Sequence, residues 1–113
     1  MTKVATNIRD NSDVKIVDVS QFLGADSAID LRETLDTLVN QDVLKIVVNL
    51  SAVEHINSRS IGALIATAKK LHTVNGVLKV YGLAEHIRQV FDLIGASSIV
   101  DIYDSEADAL SNL

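Results

Sequence analysis

The sequence contains no proline, no cysteine and no tryptophan among its 113 residues, and aromatic residues make up only 4% of it. Without cysteine, the chain can form neither a disulfide framework nor a thiolate metal site. The first residues, MTKVATNIRDNSD, lack the apolar core of a signal peptide, and no apolar run is long enough to cross a membrane. We therefore expect a soluble, cytoplasmic protein without membrane association.

Basic residues are also scarce, since 10 lysines and arginines stand against 15 acidic residues and give a net charge of -5. A nucleic-acid partner is not expected, because the sequence offers no basic footprint for the phosphate backbone. The length suits one domain, and no Gly/Ser-rich or low-complexity stretch suggests a linker. The sequence predicts a single domain over residues 1–113.

Strand and helix patterns alternate along the chain. Runs of β-branched and apolar residues predict strands at Val14–Val19, Lys45–Leu50, Val77–Leu83 and Ile99–Tyr103, with a weak edge-strand signal in residues 2–10. The apolar residues of the second run are consecutive, as in a strand that is covered on both faces. This order predicts an α/β domain with a mixed, mostly parallel sheet of four or five strands and about four helices.

Three of the predicted helices have recognisable ends. A capping-box-like pattern starts the first helix at Ser27. Gly95 occupies the position of a glycine that stops the third helix. The last helix covers residues 106–113, and either Asp104 or Ser105 can cap it. These signals set the expected boundaries.

The second helix follows the central strand in the segment KIVVNLSAVEHINSRSIGALIATAKKL, residues 45–71. Three adjacent residue types can cap it, Asn57, Ser58 and Ser60, and the sequence does not decide between them. Gly62 lies inside this helix, where glycine costs about 1 kcal/mol relative to alanine. Close approach of the sheet or of a partner would compensate for that cost. One helical face is apolar and is expected to lie on the sheet: Ile61, Leu64, Ile65, Ala68 and Leu71.

This segment resembles the STAS domain of bacterial anti-sigma factor antagonists. The family motif is a hydrophobic strand ending in Asn-Leu or Asp-Leu, followed by Asp-Ser-Ser/Thr-Gly-Leu-Gly at the start of a helix. The resemblance continues in GVLKVYGLAEHIRQVFDLIGASSIVDIYDSEADAL and covers the chain from about residue 14 to residue 110. It implies the STAS fold and a regulator that, when unphosphorylated, binds a serine-kinase anti-sigma factor and releases a sigma factor.

The resemblance also implies the remaining components of the switch. A PP2C-type phosphatase would reset it, and ATP would belong to the kinase, so no cofactor is expected for this chain. The phosphorylated serine of the motif corresponds to Ser58. The partner would bind around this serine and the start of the helix. The expected partner-binding residues are Asn57, Ser58, Arg59, Ser60, Ile61 and Gly62.

The motif differs from the family pattern at four positions. Asn57 replaces the aspartate, Arg59 the second serine or threonine, Ser60 the first glycine and Ile61 the leucine. The first two changes remove a negative charge and add a positive one beside Ser58, which favours a phosphate there electrostatically. Ser60 is the second candidate for phosphorylation.

Three functions are compatible with Ser58. It can be the switch of an anti-sigma factor antagonist, or it can cap a helix in a constitutive STAS interaction subunit of another signalling or transporter complex. It can also be the nucleophile of a small hydrolase, although the sequence has no G-x-S-x-G elbow. We expect no enzymatic activity, since that elbow is absent. We also expect no metal site, because the spacing of the three histidines matches no usual ligand pattern: His55, His72 and His86. The small size favours a monomer.

Overall fold

A five-stranded mixed sheet forms the centre of the protein. The computed structural model describes residues 6–19, 22–23 and 25–113. Five strands form the main sheet: β1 (Thr6–Asn11), β2 (Val14–Val19), β4 (Lys45–Asn49), β6 (Val77–Tyr81) and β7 (Asp101–Tyr103). They lie in the order β1-β2-β4-β6-β7, with β1 antiparallel to β2 and every other pair parallel. The predicted α/β class and mostly parallel sheet are confirmed.

The remaining elements connect these strands. Two short strands, β3 (Phe22–Leu23) and β5 (His55–Ile56), pair in parallel and form a second, small sheet. The helices are α1 (Ala25–Asn40), α2 (Ser58–His72), α3 (Glu85–Leu93) and α4 (Glu106–Ser111), with a 3-10 turn at Ala96–Ser98. Among the described residues, no helix is both long enough and apolar enough to cross a membrane.

Several predicted boundaries are wrong. Strand β4 ends at Asn49 and not at Leu50, and helix α4 ends at Ser111 and not at Leu113. Helix α1 begins at Ala25, so Ser27 lies inside its first turn and is not its cap. Strand β6 ends at Tyr81, because Gly82 takes a positive φ of 79° and turns the chain. Strand β7 begins at Asp101 because the amides of Ile99 and Val100, which follow the 3-10 turn, both donate to the carbonyl of Ala96 and not to a neighbouring strand.

Other local predictions agree with the structure. Gly95 follows the end of α3 with a φ of 79°, the left-handed conformation expected of a helix-stopping glycine. Ser105 caps α4, since its hydroxyl oxygen accepts a hydrogen bond from the amide of Asp108. The predicted edge strand is present as β1, while Val4 and Ala5, the first apolar residues of the predicted stretch, lie outside the described residues.

Both faces of the central strand are covered. Ile46, Val47 and Val48 are all fully buried, as predicted from their consecutive apolar positions. The larger cluster joins one face of the sheet to the first three helices and includes Leu31, Leu35, Leu64, Leu71 and Phe91. The opposite face carries a smaller cluster that meets α4: Val14, Ile16, Val47, Tyr81 and Ala109.

A charged network holds α4 against the strands at the edge of this smaller cluster. The Arg9 guanidinium donates to Asp18 at 2.6 Å and to Glu106 at 2.8 Å. These hydrogen bonds lower the pKa of Asp18 and Glu106 below their usual values. Tyr81 donates to Glu106 at 2.8 Å, and burial together with this contact raises the pKa of Tyr81 to about 12. The network therefore links β1, β2, β6 and α4.

Candidate functional site

Asn57 caps the helix that begins at Ser58. Its backbone is extended, and its side-chain Oδ1 accepts hydrogen bonds from the amide and from the hydroxyl of Ser60, both at 2.9 Å. One oxygen thus satisfies a free amide of the first turn and a buried hydroxyl. Of the three capping types at this position, the structure uses Asn57.

Ser58 is exposed at the first residue of α2. Its side chain makes no hydrogen bond to another described residue, since the capping oxygen comes from Asn57. No acidic residue occurs in the first turn of this helix. An anion on Ser58 would therefore meet free amide groups and the positive end of the helix dipole without a nearby acidic residue of that turn.

The predicted partner-binding residues divide between the surface and the interior. Ser58, Arg59 and Gly62 are exposed, and Asn57 is half-buried. The remaining two, Ser60 and Ile61, are buried, with exposed fractions of 0% and 1%. In this structure these two can shape the surface but cannot offer their side chains to a partner. The hydroxyl of Ser60 is also inaccessible to a kinase.

Several contacts fix the loop that leads to Ser58. The Oδ1 of Asn49 accepts from the amide of Ser51 at 2.9 Å and from its hydroxyl at 2.6 Å, while its amide donates to Asp18 at 2.8 Å. At the far side, His86 Nε2 lies 2.7 Å from the carbonyl oxygen of Glu54. The loop is thus held at its beginning by β4 and in its middle by α3.

The histidines of the sequence lie in three separate elements. His55 is in β5, His72 ends α2 and His86 is in α3, and all three are exposed. The described part of the chain contains no group of three or more histidine, aspartate or glutamate side chains that could hold a metal ion.

A groove lies between α1 and α2, where Arg59 and Gly62 of the predicted site meet residues of α1. It encloses about 410 Å³ and is lined by Ile29, Arg32, Arg59, Gly62 and Ala63. Arg59 and Gly62 are predicted from the sequence, but the contribution of α1 is not, because the packing of α1 against α2 is a tertiary contact. On the structure, the 48% exposure of the apolar side chain of Ile29 identifies this part of α1 as a candidate binding surface. We call these five residues the α1–α2 groove.

The sheet order and the four helices define an α/β domain of mixed topology, and the sequence assigns that domain to a family. Residues 5–109 match the family model described as the STAS domain. The chain therefore belongs to the STAS domain family, as the resemblance predicted.

Several proteins that the chain resembles are named as anti-sigma factor antagonists. The chain is 31% identical over 78 residues to a Thermotoga neapolitana protein named as an anti-sigma factor antagonist, covering 69% of each chain. It is 27% identical over 99 residues to the anti-sigma-B factor antagonist of Bacillus subtilis, covering 88% of this chain and 90% of the relative. A crystal structure of a Thermotoga maritima protein named as an anti-sigma factor antagonist superimposes with a TM-score of 0.88 at 26% identity, covering 95% of this chain and 92% of that chain.

Proposed function

We propose that this protein is an anti-sigma factor antagonist whose unphosphorylated form binds a serine-kinase anti-sigma factor and thereby frees a sigma factor. Phosphorylation of Ser58 by that kinase would end the binding, and a PP2C-type phosphatase would restore it. The chain itself would act as a monomer in the cytoplasm, without a cofactor and without catalytic activity. Its regulatory relatives support the general role.

One observation carries the choice of Ser58. This residue is exposed at the start of α2, whereas the capping hydrogen bonds come from Asn57. The alternative in which Ser58 is only a helix cap therefore loses its physical basis. An exposed hydroxyl that stabilises nothing in the fold is available to a kinase, and its modification would not unfold the helix.

The charges around Ser58 favour the same proposal. A phosphate adds about -1.5 to -2 charges at neutral pH, and a helix N-terminus stabilises such an anion. Arg59 is the next residue and is exposed, so it supplies a nearby positive charge. The phosphorylated fold would remain stable, while its surface would present a bulky dianion to the partner. Charge repulsion and steric repulsion between this phosphate and the partner would then oppose binding.

A phosphorylation assay tests the modified residue. The purified serine-kinase anti-sigma factors of the source organism are incubated with ATP and with the wild-type chain, Ser58→Ala or Ser60→Ala, and the products are analysed by intact mass and peptide mapping. We expect one phosphate on the wild type and on Ser60→Ala, and none on Ser58→Ala. An unmodified wild type, or a phosphate at another residue, would contradict the proposal.

A binding assay tests the consequence of the modification. Ser58→Asp places a negative charge at the helix start, and Ser58→Asn is a matched neutral control of similar size. We expect Ser58→Asp to weaken kinase binding at least about tenfold, equivalent to about 1.4 kcal/mol, and Ser58→Asn to change it less. Equal affinities for wild type and Ser58→Asp would argue against the switch.

A constitutive interaction subunit is the second candidate function. It is favoured by the altered motif, in which Asn57, Arg59 and Ser60 replace residues of the family pattern. In this case the chain would bind a signalling or transporter complex whatever the state of Ser58. The same partner retained by wild type and Ser58→Asp, together with no phosphorylation, would favour this function. Labelling of Ser58 by a serine-reactive fluorophosphonate would instead indicate a hydrolase.

A further inference from the structure

We propose that the α1–α2 groove binds an acidic, partly apolar segment of the partner protein, and that the backbone of this segment approaches closely at Gly62. This inference rests on the proposed function, because it describes how the chain would recognise its anti-sigma factor. It adds the residues of α1 and the chemistry of the segment that the groove accepts.

Gly62 has no internal reason to be glycine. Among the described residues, no heavy atom outside the local helix backbone lies within 4 Å of the position that its Cβ would occupy. Its φ is not positive, so the backbone conformation does not require glycine either. The sheet therefore does not compensate for the cost of a glycine inside a helix. An exposed glycine that lines a groove leaves room for the close approach of another chain.

The charge of the groove indicates the chemistry of that chain. Arg32 and Arg59 line it, and none of its described lining residues is acidic, although the whole chain carries a net charge of -5. The side chain of Arg32 is 63% exposed and has only a weak ion pair with Asp36, at 3.8 Å. Arg59 forms no ion pair with another described residue. Two accessible guanidinium groups suit carboxylates of a partner.

The groove also has an apolar part. Ile29 is 48% exposed, and the small side chain of Ala63 lies beside Gly62 in the lining. A segment that carries an aliphatic side chain next to a carboxylate would match this arrangement, since the apolar contact excludes water from the charged pair. A peptide that is acidic but lacks an apolar residue would leave Ile29 exposed.

This surface is adjacent to the proposed switch. Gly62 follows Ser58 by four residues, so the two lie one above the other on the same face of α2. A phosphate on Ser58 would therefore stand at the end of the groove. It would offer Arg59 a competing anion and would repel the carboxylates of the segment. If the partner segment is acidic, phosphorylation of Ser58 would therefore end the binding directly, through electrostatic repulsion.

The test measures the affinity of the serine-kinase anti-sigma factor for two groove variants and two control variants. Gly62→Ala fills the space for the backbone, and Arg32→Glu reverses one charge. Asp36→Asn removes the ion pair of Arg32 without changing the charge of the groove lining. Arg88→Glu is a charge-reversal control on α3, where the arginine side chain is 45% exposed. Thermal unfolding of each variant is recorded in parallel.

We expect Gly62→Ala and Arg32→Glu to weaken binding at least about tenfold, while both controls stay within about twofold of wild type. Gly62→Ala should melt at the same temperature as wild type or higher, because alanine is the better helix former. The loss in Arg32→Glu should be larger at low salt than at high salt, since it arises from charge.

The outcomes separate this inference from the proposed function. Binding by the wild type that is lost in Ser58→Asp but unchanged in Gly62→Ala and Arg32→Glu would overturn the inference alone. A weakening of equal size in Asp36→Asn or Arg88→Glu would also overturn it, because the effect would not belong to the groove. If the wild type binds none of the organism's anti-sigma kinases, the proposed function fails and this inference fails with it.

Discussion

Replacing Asn57 by alanine removes the oxygen that accepts two hydrogen bonds from Ser60, one from its amide and one from its hydroxyl. Loss of a helix cap costs about 1 kcal/mol. A buried hydroxyl left without an acceptor costs a further 1–3 kcal/mol or so. Ser60 is 0% exposed, so water cannot replace the lost acceptor without a rearrangement. We therefore expect Asn57→Ala to lower the free energy of unfolding by about 2–4 kcal/mol.

Two further variants test this account. Asn57→Asp keeps an acceptor for both groups of Ser60 and adds a negative charge at the helix N-terminus, so its stability should equal that of wild type or exceed it by up to about 1 kcal/mol. The double variant Asn57→Ala/Ser60→Ala has no hydroxyl left unsatisfied. It should therefore be more stable than Asn57→Ala alone, with a coupling energy of about 1 kcal/mol.

The assay is urea unfolding at neutral pH, followed by far-UV circular dichroism. The free energy of unfolding is obtained by linear extrapolation, and an unchanged dependence on urea would indicate that the denatured state is the same in all variants. A loss below about 0.5 kcal/mol in Asn57→Ala would refute the reasoning, because such a value is typical of a surface substitution that breaks no cap.

Arg9→Met should lower the free energy of unfolding by roughly 1 kcal/mol at neutral pH, because the network is partly exposed to solvent. The pKa values of Asp18 and Glu106 are lowered by Arg9 from 3.8 and 4.5. The stability that these two carboxylates contribute is therefore present above their usual pKa values and is lost as the pH falls through their lowered pKa values. The free energies of unfolding of wild type and Arg9→Met should thus converge in acid. A difference that stays constant across urea titrations at several pH values would contradict this prediction. Gly82→Ala should lower the free energy of unfolding by about 2 kcal/mol, since Gly82 has a φ of 79° and the added Cβ would lie 2.8 Å from the Cβ of Ser51. A melting temperature equal to that of wild type would contradict this prediction, because it would show that the loop adapts.

Much of the fold follows from local patterns in the sequence. The consecutive apolar residues Ile46, Val47 and Val48 identified a strand that is covered on both faces, and Gly95 marked the end of a helix. The start of the last strand was not predictable in this way. Ile99 and Val100 are β-branched and favour a strand, but the preceding 3-10 turn fixes their amides before the strand begins.

The site shows a similar division. The sequence identified the segment around Ser58, yet three adjacent capping types left the cap undecided. Tertiary packing decides it, because Ser60 lies on the same helical face as the buried Leu64 and therefore turns inward toward Asn57. The α1–α2 groove was not predictable from local patterns, since it depends on how two helices meet.

The most direct test of the central claim compares one chain in two chemical states. The protein is produced with phosphoserine incorporated at position 58 and, separately, with unmodified Ser58. The affinity of the anti-sigma kinase is then measured for both, with circular dichroism as a control that both are folded. We predict that the unmodified chain binds and that the phosphorylated chain binds at least about tenfold more weakly. Equal affinities of two folded chains would contradict the account.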